Sequence, residues 1–321
     1  MRVAVTGGGG FIGAHLLARL VGAGIDVTLI GPDTGRSQYV AALVAAGRAR
    51  FTQCDVAFRD EPILRSALAD ADALVLLGHV LPTASWPAER LSEELERNVA
   101  STARILRTAP RRVRHVVFAS SDAVYGTPVR TPVREGDPAR PGTPFGAAKL
   151  ACEQVLRSSC AAAGATASIL RYSVVYGPGE NGTRVIPTFI RAALAGQPLR
   201  IDGEGVDEHD YIHVADAVGA TMNALRREAD GVFNVGTGIG TTTIELAQLV
   251  TWIGGGRAAP IRGAAVDRAT GRSSVVLDTE LARSELGFTP RRSLPEGLAE
   301  EIGWFKAAAT AEPRALLAAS A

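Results

Sequence analysis

Three short stretches of this chain place reactive residue types at spacings that chemistry can use. In Thr6-Gly7-Gly8-Gly9-Gly10-Phe11-Ile12-Gly13, glycines recur at 7, 10 and 13 between a β-branched run and a helical one. Glycine permits a tight turn and lets backbone N–H groups approach a pyrophosphate at the positive end of a helix. The second stretch, Ala119-Ser120-Ser121-Asp122-Ala123-Val124-Tyr125-Gly126, offers the Ser121 hydroxyl, the Asp122 carboxyl and the Tyr125 phenol. Asp122 either caps the helical turn that follows or delivers a proton. The third runs from Thr143 to Glu153 and sets Lys149 four residues after Phe145, one helical turn along the same face. A phenyl ring has no proton to exchange, so Lys149 lacks an acid/base partner at that position.

The elements that must hold these residues alternate strand-sized and helical runs, which predicts an α/β fold with a Rossmann-type, doubly wound parallel sheet. Expected strands are Arg2–Thr6, Asp26–Ile30, Arg50–Gln53, Ala73–Leu77, Val113–Ala119 and Thr166–Arg171, with helices at Phe11–Gly24, Trp86–Thr108 and Phe145–Gly164. After Tyr172 the rhythm becomes irregular and richer in Gly and Pro. This predicts a smaller α/β lobe covering the carboxyl ends of the strands, where open α/β sheets bind ligands. The expected division is 1–172 for the sheet domain, with returning elements near 210–236, and 173–209 with 237–306 for the lobe; 307–321 is an Ala-rich tail.

The 321 residues are 46% apolar and 21% charged, ordinary for a globular chain, and a net charge of +1 argues against a nucleic-acid or membrane-surface partner. No apolar run approaches the roughly 20 residues of a transmembrane helix. The first strand starts within two residues of Met1, so no signal peptide is expected. Cys54, Cys152 and Cys160 lack paired spacing, which suits a reducing cytoplasm and buried structural roles; no metal site is expected.

These stretches, in this order, resemble the extended short-chain dehydrogenase/reductase family, the NAD-dependent sugar epimerases and dehydratases, and the resemblance spans Arg2 to Lys306. It implies NAD held by Gly7, Gly10, Phe11, Ile12 and Gly13 at the first turn. It further implies contacts from Asp55 and Val56 after strand three, from Leu77, Gly78 and His79 after strand four, and from Ala119, Lys149, Tyr172 and Val175. The acidic residue usual at the end of strand two is absent there. Asp33 lies two positions later and could reach the ribose, whereas Gly31 with Arg36 would admit a 2′-phosphate; NAD is expected because internal redox recycling is usual in the family. On the substrate side, Ser173 replaces the customary Asn and Val185 begins a helix that borders a uracil ring. His209 stands where an Arg contacts the diphosphate, and Arg268 and Arg272 keep the second basic clamp. A UDP-sugar is implied.

Phe145 stands where the family keeps its catalytic tyrosine. Ser121 matches the hydroxyl that bonds the sugar's 4-oxygen, and Asp122 matches the acid of 4,6-dehydratases, whose adjoining glutamate is here Ala123. Without that glutamate there is no evident donor to C5 after water is lost. The pattern is therefore similar to the UDP-N-acetylglucosamine 5,6-dehydratases, in which hydride returns to C4 and an alkene remains. For the proton acceptor, Tyr125, Lys149 and an ordered water stay open. A UDP-hexose 4-epimerase and an inactive NAD- and UDP-sugar-binding protein are the alternatives. The resemblance also implies a homodimer built on the helices beginning near Trp86 and Phe145, the latter with an apolar stripe of Ala148, Ala151, Cys152, Val155 and Leu156.

Overall fold

Successive residues of the central strands are apolar on both faces, and both faces are covered. In the computed structural model, Val3 and Val5 of β1 (Arg2–Thr6) join one core while Ala4 joins the other, and Val117 and Phe118 of β5 divide the same way. Such two-sided burial is what a parallel sheet with helices on each face requires. The structure describes residues 1–35, 37–56, 61–78, 88–180, 182–256, 260–263 and 274–310. His79, Arg36, Arg268 and Arg272 lie outside them.

In chain order the elements are β1, α1 (Phe11–Gly22), β2 (Asp26–Gly31), α2 (Gln38–Ala45), β3 (Arg50–Gln53), α3 (Glu61–Leu68), β4 (Ala73–Leu76), α4 (Ala88–Thr108), β5 (His115–Ser121), α5 (Pro144–Ala163), β6 (Thr166–Tyr172), β7 (Val174–Tyr176), α6 (Val185–Leu194), β8 (Arg200–Ile201), β9 (Glu208–His213), α7 (Val214–Arg227), β10 (Gly231–Val235), β11 (Gly240–Thr242), α8 (Thr243–Gly254), β12 (Ile261–Arg262), α9 (Glu280–Leu286) and α10 (Leu294–Thr310). The main sheet has the order β10-β6-β5-β4-β1-β2-β3, with every neighbouring pair parallel. This is the Rossmann-type fold. The order reverses between β1 and β4, which opens a crevice at their carboxyl ends. A three-stranded sheet, β11-β9-β7, and the β12-β8 pair accompany a further core of Tyr176 on β7 with Ile186, Phe189, Leu246 and Leu298 on α6, α8 and α10.

Most boundaries fall within two residues of the sequence expectation, and two starts differ for reasons the structure shows. Strand β5 begins two residues later than Val113, because pairing starts where His115 meets both Ala73 and Thr166. Helix α5 begins at Pro144. Thr143 caps it, its hydroxyl accepting from the Gly146 N–H at 3.1 Å, and Pro144 occupies the first turn, where its missing N–H is harmless.

The α5 stripe also divides. Cys152 and Leu156 are fully buried in the core and Ala148 is 3% exposed, so these residues serve the interior. Ala147, Ala151 and Gln154 face outward, with Val155 half-buried.

Across the sheet, α5 is fixed by a buried ion pair. Arg171 on β6 bonds both Glu153 oxygens, at 3.0 and 2.7 Å, and the Ser120 hydroxyl donates to the same carboxylate. Removing one partner strands a buried charge, a loss that costs about 3–5 kcal/mol. We therefore expect Glu153→Ala to lower the urea unfolding free energy by about that amount, and Glu153→Gln by less; a loss under 1 kcal/mol would contradict this.

Candidate active site

The glycine turn shapes the crevice at β1. Gly7 has φ +72°, and a Cβ there would lie 2.5 Å from the Gly78 nitrogen; a Cβ at Gly13 would overlap the Gly7 carbonyl. Gly78 is thus the residue across β4 that the turn packs against. Gly9 in turn lies against the Thr34-Gly35 backbone, a contact without a local sequence signal. Gly10 is exposed, is the residue preceding α1, and supplies no side-chain cap, so the N–H groups of the first turn have no side-chain partner. A cradle of bare backbone at a positive helix end fits the pyrophosphate of a dinucleotide.

The remaining cofactor candidates fall at the carboxyl ends of their strands with varied engagements. Asp33 is exposed and its Oδ1 accepts the Gly35 N–H at 2.7 Å, in an Asx turn. Asp55 pairs with Arg97 at 3.6 Å, and the Val56 carbonyl accepts from Arg104. Leu77 donates to the Thr6 carbonyl, continuing the pairing of β4 with β1. Phe11 and Ile12 pack against the core that contains buried Val175. The Tyr172 side chain is buried and its hydroxyl shares a 2.6 Å bond with Thr221, so the ring packs in the core.

Ser121 ends β5, and Asp122–Val124 forms a 3-10 turn behind it. The Ser121 Oγ accepts from the Ala123 N–H at 3.2 Å and donates to Asp122 at 2.9 Å. Capping is therefore done by Ser121, which leaves Asp122 to chemistry. Burial raises the Asp122 carboxyl to about 6 against the pull of the Ser121 bond, with the Asp210 charge adding to the rise and Arg184 opposing it. Asp210 and Arg184 had carried no sequence signal for this site. Arg184 is held at 3.1 Å by the buried Glu180.

Lys149 is buried and donates to the Ala119 carbonyl at 2.5 Å. Its Nζ stands 5.0 Å from the centre of the Phe118 ring and 5.6 Å from that of Phe145. Tyr125 is turned into the core. It is 1% exposed, its hydroxyl donates to Asn234 Oδ1 at 2.6 Å, and burial pushes the phenol up to about 12. With its ring against the Arg171 guanidinium, Tyr125 supports the sheet and is not placed for proton transfer.

On the other side of the site, Ser173 is 5% exposed and its Oγ has no hydrogen-bond partner, a buried polar atom awaiting one. Val185 is half-buried at the first position of α6, and half-buried His209 on β9 stands edge-on to Tyr211.

The sequence model of the NAD dependent epimerase/dehydratase family matches residues 3–236. The chain is 34% identical to the UDP-glucose 4-epimerase of Mycolicibacterium smegmatis, covering 95% of this chain and 99% of that protein. It is 30% identical to the dTDP-glucose 4,6-dehydratase of Streptomyces niveus, covering 95% and 93% respectively. Among solved structures, the UDP-glucose 4-epimerase of Thermotoga maritima with UDP-glucose superposes with a TM-score of 0.86 at 28% identity, covering 95% of this chain and 99% of that one.

A Cβ at Gly10 would approach only the Gly7 carbonyl, at 3.3 Å, so a side chain fits there without unfolding the turn. Gly10→Glu puts a negative charge at the helix end and should abolish NAD binding in calorimetry while the thermal midpoint of the apoprotein stays put. Normal NAD affinity in that variant would place the cofactor elsewhere.

Proposed function

The chain belongs to the NAD dependent epimerase/dehydratase family, and from that premise we propose that it is a nucleotide-sugar dehydratase acting on UDP-N-acetylglucosamine. Water is removed across C5–C6 and an alkene remains, as in the 5,6-dehydratase of tunicamycin biosynthesis that the sequence resembles. The cofactor is NAD, which when bound takes hydride from C4 and gives it back. Gly7, Gly10 and Gly13 would hold its pyrophosphate.

The observation that carries the reading is Asp122. Its carboxyl is pushed up to about 6, which brings its titration from the ordinary carboxylate range to within about a unit of neutral pH. A general acid works best when its pKa lies near the working pH. Dehydration needs that proton for the departing 6-hydroxyl, whereas epimerisation at C4 has no leaving group to protonate. Ser121, bonded to Asp122, sits beside it to hold the 4-oxygen. Ala123 fills the place of a C5 proton donor with a methyl group, which favours return of hydride to C4 and retention of the alkene. Ser173, Val185, His209, Arg268 and Arg272 make up the proposed UDP-sugar contacts.

UDP-hexose 4-epimerisation is the second reading, favoured by the 34% identity to an epimerase and opposed by Phe145, since no phenol is present to exchange the 4-hydroxyl proton. A third, an inactive NAD- and UDP-sugar-binding protein, is opposed by the survival of Ser121, Asp122 and Lys149 together. We further propose a homodimer joined through the outward faces of α4 and α5, and a cytoplasmic location, which suits three buried cysteines without paired spacing. Light scattering is expected to give twice the 33.4 kDa chain mass at micromolar concentration; a monomer there removes the dimer.

With UDP-N-acetylglucosamine, mass spectrometry should find a product lighter by one water, and NMR an exocyclic alkene. An unchanged mass with inverted C4 would mean epimerase; no change at all would mean a binder. Asp122→Asn should slow dehydration by about a hundred- to ten-thousand-fold. Because the folded-state pKa lies above the ordinary 3.8, wild-type stability declines as pH rises from about 4 to about 6. The Asn variant should lack that decline, and wild-type turnover should fall as pH climbs above about 6.

A further inference from the structure

Phe145 takes a phenol out of the site, yet the cation one helical turn away remains, in surroundings that suit a neutral amine better. Lys149 is 4% exposed, and among the described residues no carboxylate forms an ion pair with it. The Ala119 carbonyl accepts one of its protons, and the Phe118 and Phe145 rings flank the nitrogen at 5.0 and 5.6 Å. Helix α5 packs directly on the turn carrying Asp122, for a Cβ at Gly146 would overlap the Ala123 carbonyl. The amine and the acid thus belong to one site, joined through β5.

Residue choice points the same way. Of the chain's 34 lysines and arginines, only Lys149 and Lys306 are lysine. Arginine supplies positive charge everywhere else, and its guanidinium does not give up a proton, whereas a buried lysine readily does. The position that keeps a lysine is the buried one in the site.

We propose that Lys149, as the free amine, replaces the missing tyrosine. It accepts the proton of the sugar's 4-hydroxyl as C4 is oxidised and returns it to the 4-oxygen as C4 is reduced. The hydride that leaves C4 passes to the nicotinamide cofactor and comes back, so both the lysine and the cofactor end unchanged. The C5 proton departs to solvent, the proton that leaves with the 6-oxygen comes from Asp122, and solvent reprotonates Asp122, so the sum is loss of one water. This assignment rests on the dehydratase reading for the fate of C5 and C6, but not for the O4 proton. Burial supports it by driving the amine down to about 7. The groups opposing that fall are Cys152 and Glu153 on α5 itself; β5 adds the Phe118 ring and the Ala119 carbonyl, and α4 adds the neutral Thr102 beside Cys152.

Labelling with lysine carrying ¹³C at Cε gives two NMR signals, and Lys149→Arg assigns them by deleting one. In the NAD-loaded protein the Lys149 signal should titrate with a midpoint near 7. A Lys149 that stays an ammonium up to pH 9 overturns the proposal whatever reaction the enzyme performs. Arginine at 149 cannot give up its proton, and calorimetry sets the NAD concentration at which the Lys149→Arg variant is saturated with cofactor. Reduction of bound NAD by UDP-N-acetylglucosamine in a single turnover should nevertheless slow at least a hundredfold in that variant. Undiminished reduction would equally overturn the proposal. If wild type reduces its NAD, Lys149 titrates as expected and no alkene forms, the base assignment stands and the dehydratase reading is the part that fails.

Discussion

The Arg171 guanidinium, held to Glu153 in the dry interior between β6 and α5, is the contact from which the rest of the site takes its geometry. Both side chains are almost wholly buried, at 6% and 1% exposed. Neither charge could remain there without the other. The pair ties α5, which carries Phe145 and Lys149, to the strand next to β5. Ser120 donates to the same carboxylate, so the residue immediately before Ser121 and Asp122 is anchored as well. Arg171 continues outward to the Tyr125 ring, and Tyr125 to Asn234 on β10, whose side chain also donates to the Val133 and Asp278 carbonyls. A hydroxyl, a carboxyl and an amine drawn from two elements are thereby held to one arrangement before any ligand arrives. Such preorganisation is what proton transfer requires of its supporting residues.

Around that frame, the site is tuned mainly by what is withheld. No side chain caps α1, so its N–H groups remain for an anion. Among the described residues no carboxylate forms an ion pair with Lys149, so burial outweighs the opposing pull of Cys152 and Glu153. Asp122 has the Ser121 hydroxyl as its close partner, and two more distant charges, Asp210 and Arg184, pull its titration in opposite directions. The acid is raised and the base is lowered by one cause, removal from water, which disfavours the charged form of either.

The loop after β7 links this site to the second core. The His15 ring on α1 bonds the Pro178 carbonyl at 2.7 Å, and burial keeps that imidazole neutral. On the far side of the loop, Glu180 holds Arg184, while Glu301 of α10 is fully buried and pushed up to about 9, first by desolvation and then by the Glu180 charge. A protonated Glu301 lets α10 close against the loop without repulsion. The glycine-turn helix, the Arg184 region and the carboxyl-terminal helix are thus braced through one segment of a few residues.

What the sequence determined by itself was local. Glycine spacing at 7, 10 and 13, apolar runs of strand length, and the four-residue interval from Phe145 to Lys149 act over one turn or one strand, and they specified the α/β sheet, the cradle and the altered motif. The direction in which a side chain points was decided elsewhere. Tyr125 looks like a site phenol in the sequence, but Asn234, 109 positions away, draws its hydroxyl into the core. The apolar stripe of α5 has the spacing of an interface, yet Cys152 and Leu156 are spent on the sheet. The start of β5 moved because register is set by partners on β4 and β6, and Gly9 meets Gly35 only once β2 lies beside β1. Above all, no spacing reveals that burial raises the Asp122 carboxyl and lowers the Lys149 amine. Those properties come from exclusion of water by residues far apart in the chain, and only the tertiary structure brings such residues together.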